Sequence, residues 1–232
     1  MKRKTLSAQQ IEALLEHFDL KDRTFDAPAP QKPEPKDLRV STDQRQWDYL
    51  MKISKQEFKE IIWRRELDKA EQVILVLRGD HDLIMTYCLV EHVFTSDKAL
   101  LELAKRQNLE ELDAVLRRSA LPAEAQVYIF EKGFAETRDY LAKKGCIGAS
   151  GELAMVRRGS HHDIMVYLRH HQMYPATVKE VIKRGNHDEI MACLKHKNAM
   201  FGENLKLLIE RGDAEEVATC IARCYPQVKI PE

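Results

Sequence analysis

Val181-Ile-Lys-Arg-Gly-Asn-His-Asp-Glu-Ile-Met-Ala-Cys-Leu194 holds the end of one helix and the start of the next. Val181 and Ile182 finish an apolar face, and Arg184 is the cation that the negative end of a helix favours. Gly185 suits a left-handed C-cap, and Asn186 with Glu189 three residues on is an N-cap signature. Ile190, Cys193 and Leu194 then fall at i, i+3 and i+4, one stripe of an α-helix. Leu208-Ile-Glu-Arg-Gly-Asp-Ala-Glu-Glu-Val-Ala-Thr-Cys-Ile221 repeats the pattern. Outward from these two stretches, Arg78-Gly79-Asp80, Arg106-Gln107-Asn108, Lys132-Gly133-Phe134, Arg158-Gly159-Ser160, Arg184-Gly185-Asn186 and Arg211-Gly212-Asp213 follow at intervals of 28, 26, 26, 26 and 27 residues.

Three apolar columns run through the first helix of each unit. They are Ile84, Leu112, Thr137, Ile164, Ile190 and Val217; Tyr87, Val115, Tyr140, Tyr167, Cys193 and Cys220; and Cys88, Leu116, Leu141, Leu168, Leu194 and Ile221. The third unit needs a one-residue shift and offers Phe134 where a cap belongs. Second helices carry stripes of their own, such as Val178, Val181 and Ile182, or Leu205, Leu208 and Ile209. No sustained period-two alternation marks a strand. A short helix pair cannot bury its apolar face alone, so units must stack. The expected fold class is all-α: a right-handed α-solenoid of about six short (~26-residue) helix-pair repeats with an N-terminal helical cap.

Four segments are expected. Residues 1–18 hold a short amphipathic docking helix, with a Ser7/Gln10 capping box and Ile11, Leu14, Leu15 and Phe18 on one face. Residues 19–40, with Pro28, Pro30, Pro33 and Pro35 among charges, form a flexible linker. Residues 41–77 form N-terminal capping helices at 43–53, 55–65 and 67–77, the first two opened by Ser41/Gln44 and Ser54/Glu57 capping boxes. Residues 78–232 form the repeat domain, whose tail from Tyr225 to Pro231 covers the far end.

Composition narrows the function classes. The chain of 232 residues has 37 Lys plus Arg against 37 Asp plus Glu, so no global field draws it to nucleic acid or an acidic membrane. The apolar run Val73-Ile-Leu-Val-Leu77 is far shorter than the ~18 residues of a membrane span, and the basic start Met1-Lys-Arg-Lys4 is not followed by the apolar run of a secretory signal. Cysteines at 88, 146, 193, 220 and 224 form no CxxC pair and three fall in the apolar columns, as expected for reduced thiols in a cytoplasmic protein.

The repeat pattern over residues 78–223 resembles short α-helical repeats of the HEAT, ankyrin and leucine-rich-variant kinds, although the units are shorter than HEAT repeats and lack the Thr-Pro-Leu-His signature of ankyrin repeats. That resemblance implies a protein-binding scaffold. Leu6-Ser-Ala-Gln-Gln-Ile-Glu-Ala-Leu-Leu15 resembles the N-terminal peptide by which flagellar switch proteins grip the chemotaxis response regulator, with Gln10 and Glu12 where that peptide has acids around its isoleucine. It implies a helix that docks in a groove.

Basic residues recur where first helices end: Arg117, Arg118, Lys143, Lys144, Arg169, His170, His171, Lys195, His196 and Lys197. Stacking would align them into a strip for an acidic partner, although cations at helix ends are also what the macrodipole favours. Ile11, Leu14, Leu15 and Phe18 supply a second candidate contact. The histidines, including His161, His162 and His187, lack HExxH or Cys/His ligand spacing, so no metal is expected. GxGxxG, GxxxxGK[ST] and GxSxG are absent, so neither a cofactor nor enzymatic activity is expected. The RGD triplets at 78–80 and 211–213 fall on helix junctions. The reading is a non-catalytic adaptor that binds another protein; the alternatives are a nucleic-acid-binding HEAT-like solenoid, conceivably base-acting, and a secreted bacterial effector.

Overall fold

The computed structural model describes residues 5–21, 44–196 and 200–228. The Pro-rich segment from residue 22, the Ser41 cap and Lys197 lie outside them. Among the described residues there are fifteen helices and no strand: α1 Ala8–His17, α2 Gln44–Lys52, α3 Lys55–Arg64, α4 Lys69–Arg78, α5 His81–Leu89, α6 Asp97–Arg106, α7 Leu109–Leu116, α8 Ala123–Lys132, α9 Ala135–Lys144, α10 Ala149–Arg158, α11 His161–His170, α12 Pro175–Arg184, α13 His187–Cys193, α14 Glu203–Arg211 and α15 Ala214–Cys224. No described helix is long and apolar enough to cross a membrane.

Two compact units divide within α10, a middle unit in Lys32–Gly151 and a terminal unit combining Met1–Gln31 with Glu152–Glu232. In each, alternate helices pack together. In the middle unit α2 meets α4, α4 meets α6 and α6 meets α8, while α3 meets α5 and α5 meets α7. In the terminal unit α11 meets α13, α13 meets α15 and α12 meets α14. The apolar columns explain this pairing: Ile84, Leu112, Ile164, Ile190 and Val217 are all wholly buried. Thr137, shifted into the same column, is buried with its Oγ1 unpartnered.

Local chemistry sets most boundaries. Ser7 and Ser54 form complete capping boxes with Gln10 and Glu57, and Asn108, Asn186 and Asp213 each accept from the second and third backbone N–H of their helix. Gly79, Gly185 and Gly212 end their helices in the left-handed conformation. Two expectations change. Asp80 makes no side-chain cap; its carboxylate faces Lys55 at 3.5 Å instead. Gly133 and Gly159 are not left-handed; a Cβ would lie 2.5 Å from the Ile129 carbonyl oxygen at the first and equally tight against the Met155 carbonyl oxygen at the second, so close approach rather than backbone handedness demands glycine.

Within each unit, buried polar side chains staple one helix pair to the loop of the next. Gln72 Oε1 accepts the Thr95 and Ser96 N–H, Gln126 Oε1 accepts the Gly148 N–H, and Glu152 Oε2 accepts the Tyr174 N–H, across 22 to 24 residues each. Glu152 also accepts the Tyr167 hydroxyl at 2.6 Å. Burial pushes its carboxyl above the ordinary value, and these hydrogen bonds only partly offset that.

Helix α1 is seated on α14. Leu14 and Leu20 are buried, Ile11 lies against Gly212, and the Phe18 ring is 4.8 Å from that of Tyr225. Leu6 N–H donates to the Gly212 carbonyl at 2.7 Å. The apolar stripe expected to grip a partner is therefore engaged within the terminal unit.

Candidate partner-binding surface

The charged side chains sort into three groups, and the first two belong to the stacking. At three junctions a glutamate at the third position of a first helix is fully buried: Glu111, Glu189 and Glu216. Each is met by a histidine one unit earlier, with His81, His161 and His187 Nδ1 at 3.0, 2.9 and 2.8 Å. Each also meets the arginine five residues before it, with Arg106, Arg184 and Arg211 Nε at 2.7, 3.3 and 2.9 Å. The same guanidinium donates to the carbonyl of the preceding junction glycine: Arg106 to Gly79, Arg184 to Gly159 and Arg211 to Gly185. A buried carboxylate is tolerable only when paired and hydrogen-bonded; the clamp supplies both at Glu111 and Glu216, whereas Glu189 Oε2 has the Arg184 ion pair without a hydrogen bond. For Glu111, burial pushes the carboxyl up, but the bonds from Arg106 and His81 outweigh it and hold the group below its ordinary value. At the Gly212 junction the Leu6 N–H takes the carbonyl, as a guanidinium does at Gly79, Gly159 and Gly185. Helix α1 thus covers α14 and the Gly212 junction within the terminal unit.

Glu111 and Glu189, expected to complete capping boxes at Asn108 and Asn186, turn toward the clamp instead. The junction arginines are likewise more than dipole partners. Both RGD triplets are absorbed: Arg78 donates to the Leu50 and Ile53 carbonyls, and Arg211 holds Glu216.

The second group stitches first helices together. Arg118 pairs with Glu91, Lys144 with Asp113 and His196 with the Leu168 carbonyl. Arg223, absent from the expected strip, reaches the Leu194 carbonyl in the same manner. Arg117 pairs with Asp113 and Lys143 with Asp139 along their own helices. Hydrogen bonds from Tyr140, Arg117 and Lys144 hold the Asp113 carboxyl far below its ordinary value. His171 stacks on Tyr167, with ring centroids 5.1 Å apart.

The third group is small. Arg169 and Lys195 are exposed and make no ion pair among the described residues, and His170 is exposed beside the His171 ring. Arg169 and Lys195 line a cleft of about 330 Å³ between α11 and α13, with Met165, Leu168, Ala192 and His196. The middle unit has a cleft at the equivalent place between α5 and α7, lined by Met85, Cys88, Leu89, Ala114, Arg117 and Arg118, with Glu110 and Asp113. Repeat alignment matches Met85 with Met165, Leu89 with Arg169, Ala114 with Ala192 and Arg117 with Lys195. The two grooves are one position of the repeat seen twice, which no scan for motifs reveals because the lining residues come from helices a full unit apart.

Most of the other reactive groups are held in the fold, and the Cys146 thiol is exposed. Cysteines 88, 146, 193, 220 and 224 are all free thiols, and burial pushes Cys88 up to about 11 and Cys220 up to about 12. His187, Asp213 and Glu216 place three ligand-type atoms within 4.8 Å of one another. Asp213 caps α15, and Glu216 is clamped by Arg211 as at the other junctions, so this cluster is a version of the clamp in which the N-cap is an acid.

No family model, curated protein or solved structure matches the chain. The resemblances to helical-repeat families and to the flagellar docking peptide rest on the residues quoted for them, and of these the all-helical, neighbour-to-neighbour packing is present in the fold.

Proposed function

We propose that this chain is a non-catalytic adaptor: a right-handed α-solenoid of about six helix-pair repeats that presents the surface of its first helices to a partner protein. The observation that carries the proposal is the recurrence of one groove position in both units, between α5 and α7 and between α11 and α13. Supporting it, the buried charges at three junctions are engaged in the clamps, and at the terminal groove two cations without an ion pair among the described residues adjoin apolar side chains. A cytoplasmic setting belongs to the same reading and is supported by the free thiols. Helix α1 has the role of a cap in this reading; action on a partner through Ile11, Leu14, Leu15 and Phe18 would require it to leave α14.

A nucleic-acid role is the weaker reading. It would draw on Arg117, Lys143, Arg169 and Lys195 together, and two of these four are paired with Asp113 and Asp139. A photo-crosslinking amino acid placed singly at Leu89, Arg169 or, as a control on a second helix, Glu131 tests the proposal in cells. Protein adducts from 89 or 169 but not from 131 are expected. Adducts only from 131, or nucleic acid as the sole adduct, would overturn it.

A further inference from the structure

The two grooves share a backbone position and differ in charge at two places. Where the middle groove has Leu89, the terminal groove has Arg169; where the middle groove has the carboxylate of Asp113, the terminal helix has Met191. The first change adds a cation and the second removes the acid that neutralises Arg117. Glu91, which pairs with Arg118 in the middle unit, has His171 at its matching position. The terminal groove is therefore cationic at Arg169 and Lys195, with no acidic residue in its lining.

Its floor is apolar. Met165, Leu168 and Ala192 line the cleft between the two cations, and Met165 remains half-buried rather than covered. The groove lies at the C-terminal ends of α11 and α13, where the carbonyl dipoles favour cations and moderate their reach. A bare phosphate backbone would find two charges but nothing for the apolar floor. A peptide satisfies both by setting a bulky apolar side chain between carboxylates.

We infer that the terminal groove receives an acidic segment of a partner protein, with a bulky apolar side chain against Met165, Leu168 and Ala192 and carboxylates beside Arg169 and Lys195. The inference rests on the adaptor reading and names the chemistry of its partner. Met is suited to such a floor because its unbranched, polarizable side chain adapts to varied apolar groups.

Fluorescence anisotropy on the full chain tests it with three labelled probes: a short peptide of glutamates and leucines, the same peptide with serines for leucines, and a single-stranded RNA of equal formal charge. The leucine peptide is expected to bind tightest, with the serine peptide and the RNA each about tenfold weaker. Arg169→Glu with Lys195→Glu should weaken the leucine peptide by about tenfold or more, whereas Arg117→Glu with Arg118→Glu should leave it unchanged. Met191→Asp keeps both cations, installs the carboxylate that the middle groove has at 113, and should also weaken binding; circular dichroism shows that each variant remains folded. RNA binding as tight as the leucine peptide, equal loss in the Arg117/Arg118 variant, or no peptide binding at low salt would overturn the inference. Protein adducts from position 89 alone in the crosslinking experiment, together with no peptide binding, would sink the acidic-segment inference and leave the adaptor reading standing; adducts from neither groove would sink that reading itself.

Discussion

The middle and terminal units solve one problem identically and another in opposite ways. Both bury a glutamate at a junction and hold it with an arginine and a histidine, as at Glu111 in one and at Glu189 and Glu216 in the other. In the grooves that these junctions create, the middle unit pairs its cations with Asp113 and Glu91, and the terminal unit leaves Arg169 and Lys195 without carboxylates. Interior positions, where an unpaired charge costs several kcal/mol, permit little variation. Surface ion pairs contribute only ~0–1 kcal/mol, so a groove can exchange neutrality for recognition at small cost to the fold.

The shared feature should break hardest. Arg106→Ala in the middle unit and Arg211→Ala in the terminal unit each strand a buried glutamate and should each cost about 3 kcal/mol. Hydrogen exchange should localise the loosening to the unit that carries the change, and equal loosening of both units would show that the division at α10 has no energetic meaning. Removing residues 1–21 should come next, destabilising only the terminal unit. It strips the cover of Leu14, Leu20 and Ile11 from α14 and frees the Gly212 carbonyl, for a net loss of about 2 kcal/mol once the ordering of α1 is counted. Unchanged amide protection in α14 and α15 would mean that α1 does not act as a cap.

A pH series sharpens the contrast between the loop staples. Gln72 and Gln126 hold their loops without ionising, whereas the equivalent Glu152 has its carboxyl raised by burial. A group whose folded pKa is raised binds its proton more tightly in the folded chain, so its favourable contribution is present below the ordinary value of 4.5 and is lost as pH rises through the folded value. Glu152→Gln should therefore stabilise the terminal unit by about 1 kcal/mol at neutral pH, and by less at acid pH, in chemical denaturation. Glu71 and Glu111 run the other way: burial raises them, but their hydrogen bonds win and lower them, so their contribution fades as pH falls through their folded values. The smallest effect is expected at Thr137, whose buried hydroxyl has no partner; Thr137→Val should raise stability by about 1 kcal/mol or less in thermal melts.

Much of the clamp is written in the repeat, although single motifs conceal it. Where a first helix begins with His81, His161 or His187, the next unit has Glu111, Glu189 or Glu216 at its third position; where it begins with Leu109 or Ala135, that position is Thr137 or Asp163. The two sites vary together across units because they touch across the stack. The Arg106/Glu111, Arg184/Glu189 and Arg211/Glu216 spacing of five points to the same carboxylate. Taken one at a time, the histidines look like solvated helix ends and the arginines like dipole partners. Only their correlation across repeats exposes the clamp. The grooves left only part of such a trace: Asp113 four residues before Arg117, and Met191 four before Lys195, are legible locally, but the pairing of Arg118 with Glu91 across helices is not.

The sequence by itself determined the helices, their junctions and the columns that face inward, because capping and the 3.6-residue period act within a few residues of the chain. Tertiary structure alone decided which charges meet across helices and where α1 goes. Arg118 meets Glu91 across 27 residues and His81 meets Glu111 across 30, and the seat of α1 on Gly212 lies some two hundred residues further along the chain. Those pairings depend on which surfaces stacking brings within hydrogen-bond distance, and a charge takes its role from that neighbour rather than from its place in the chain.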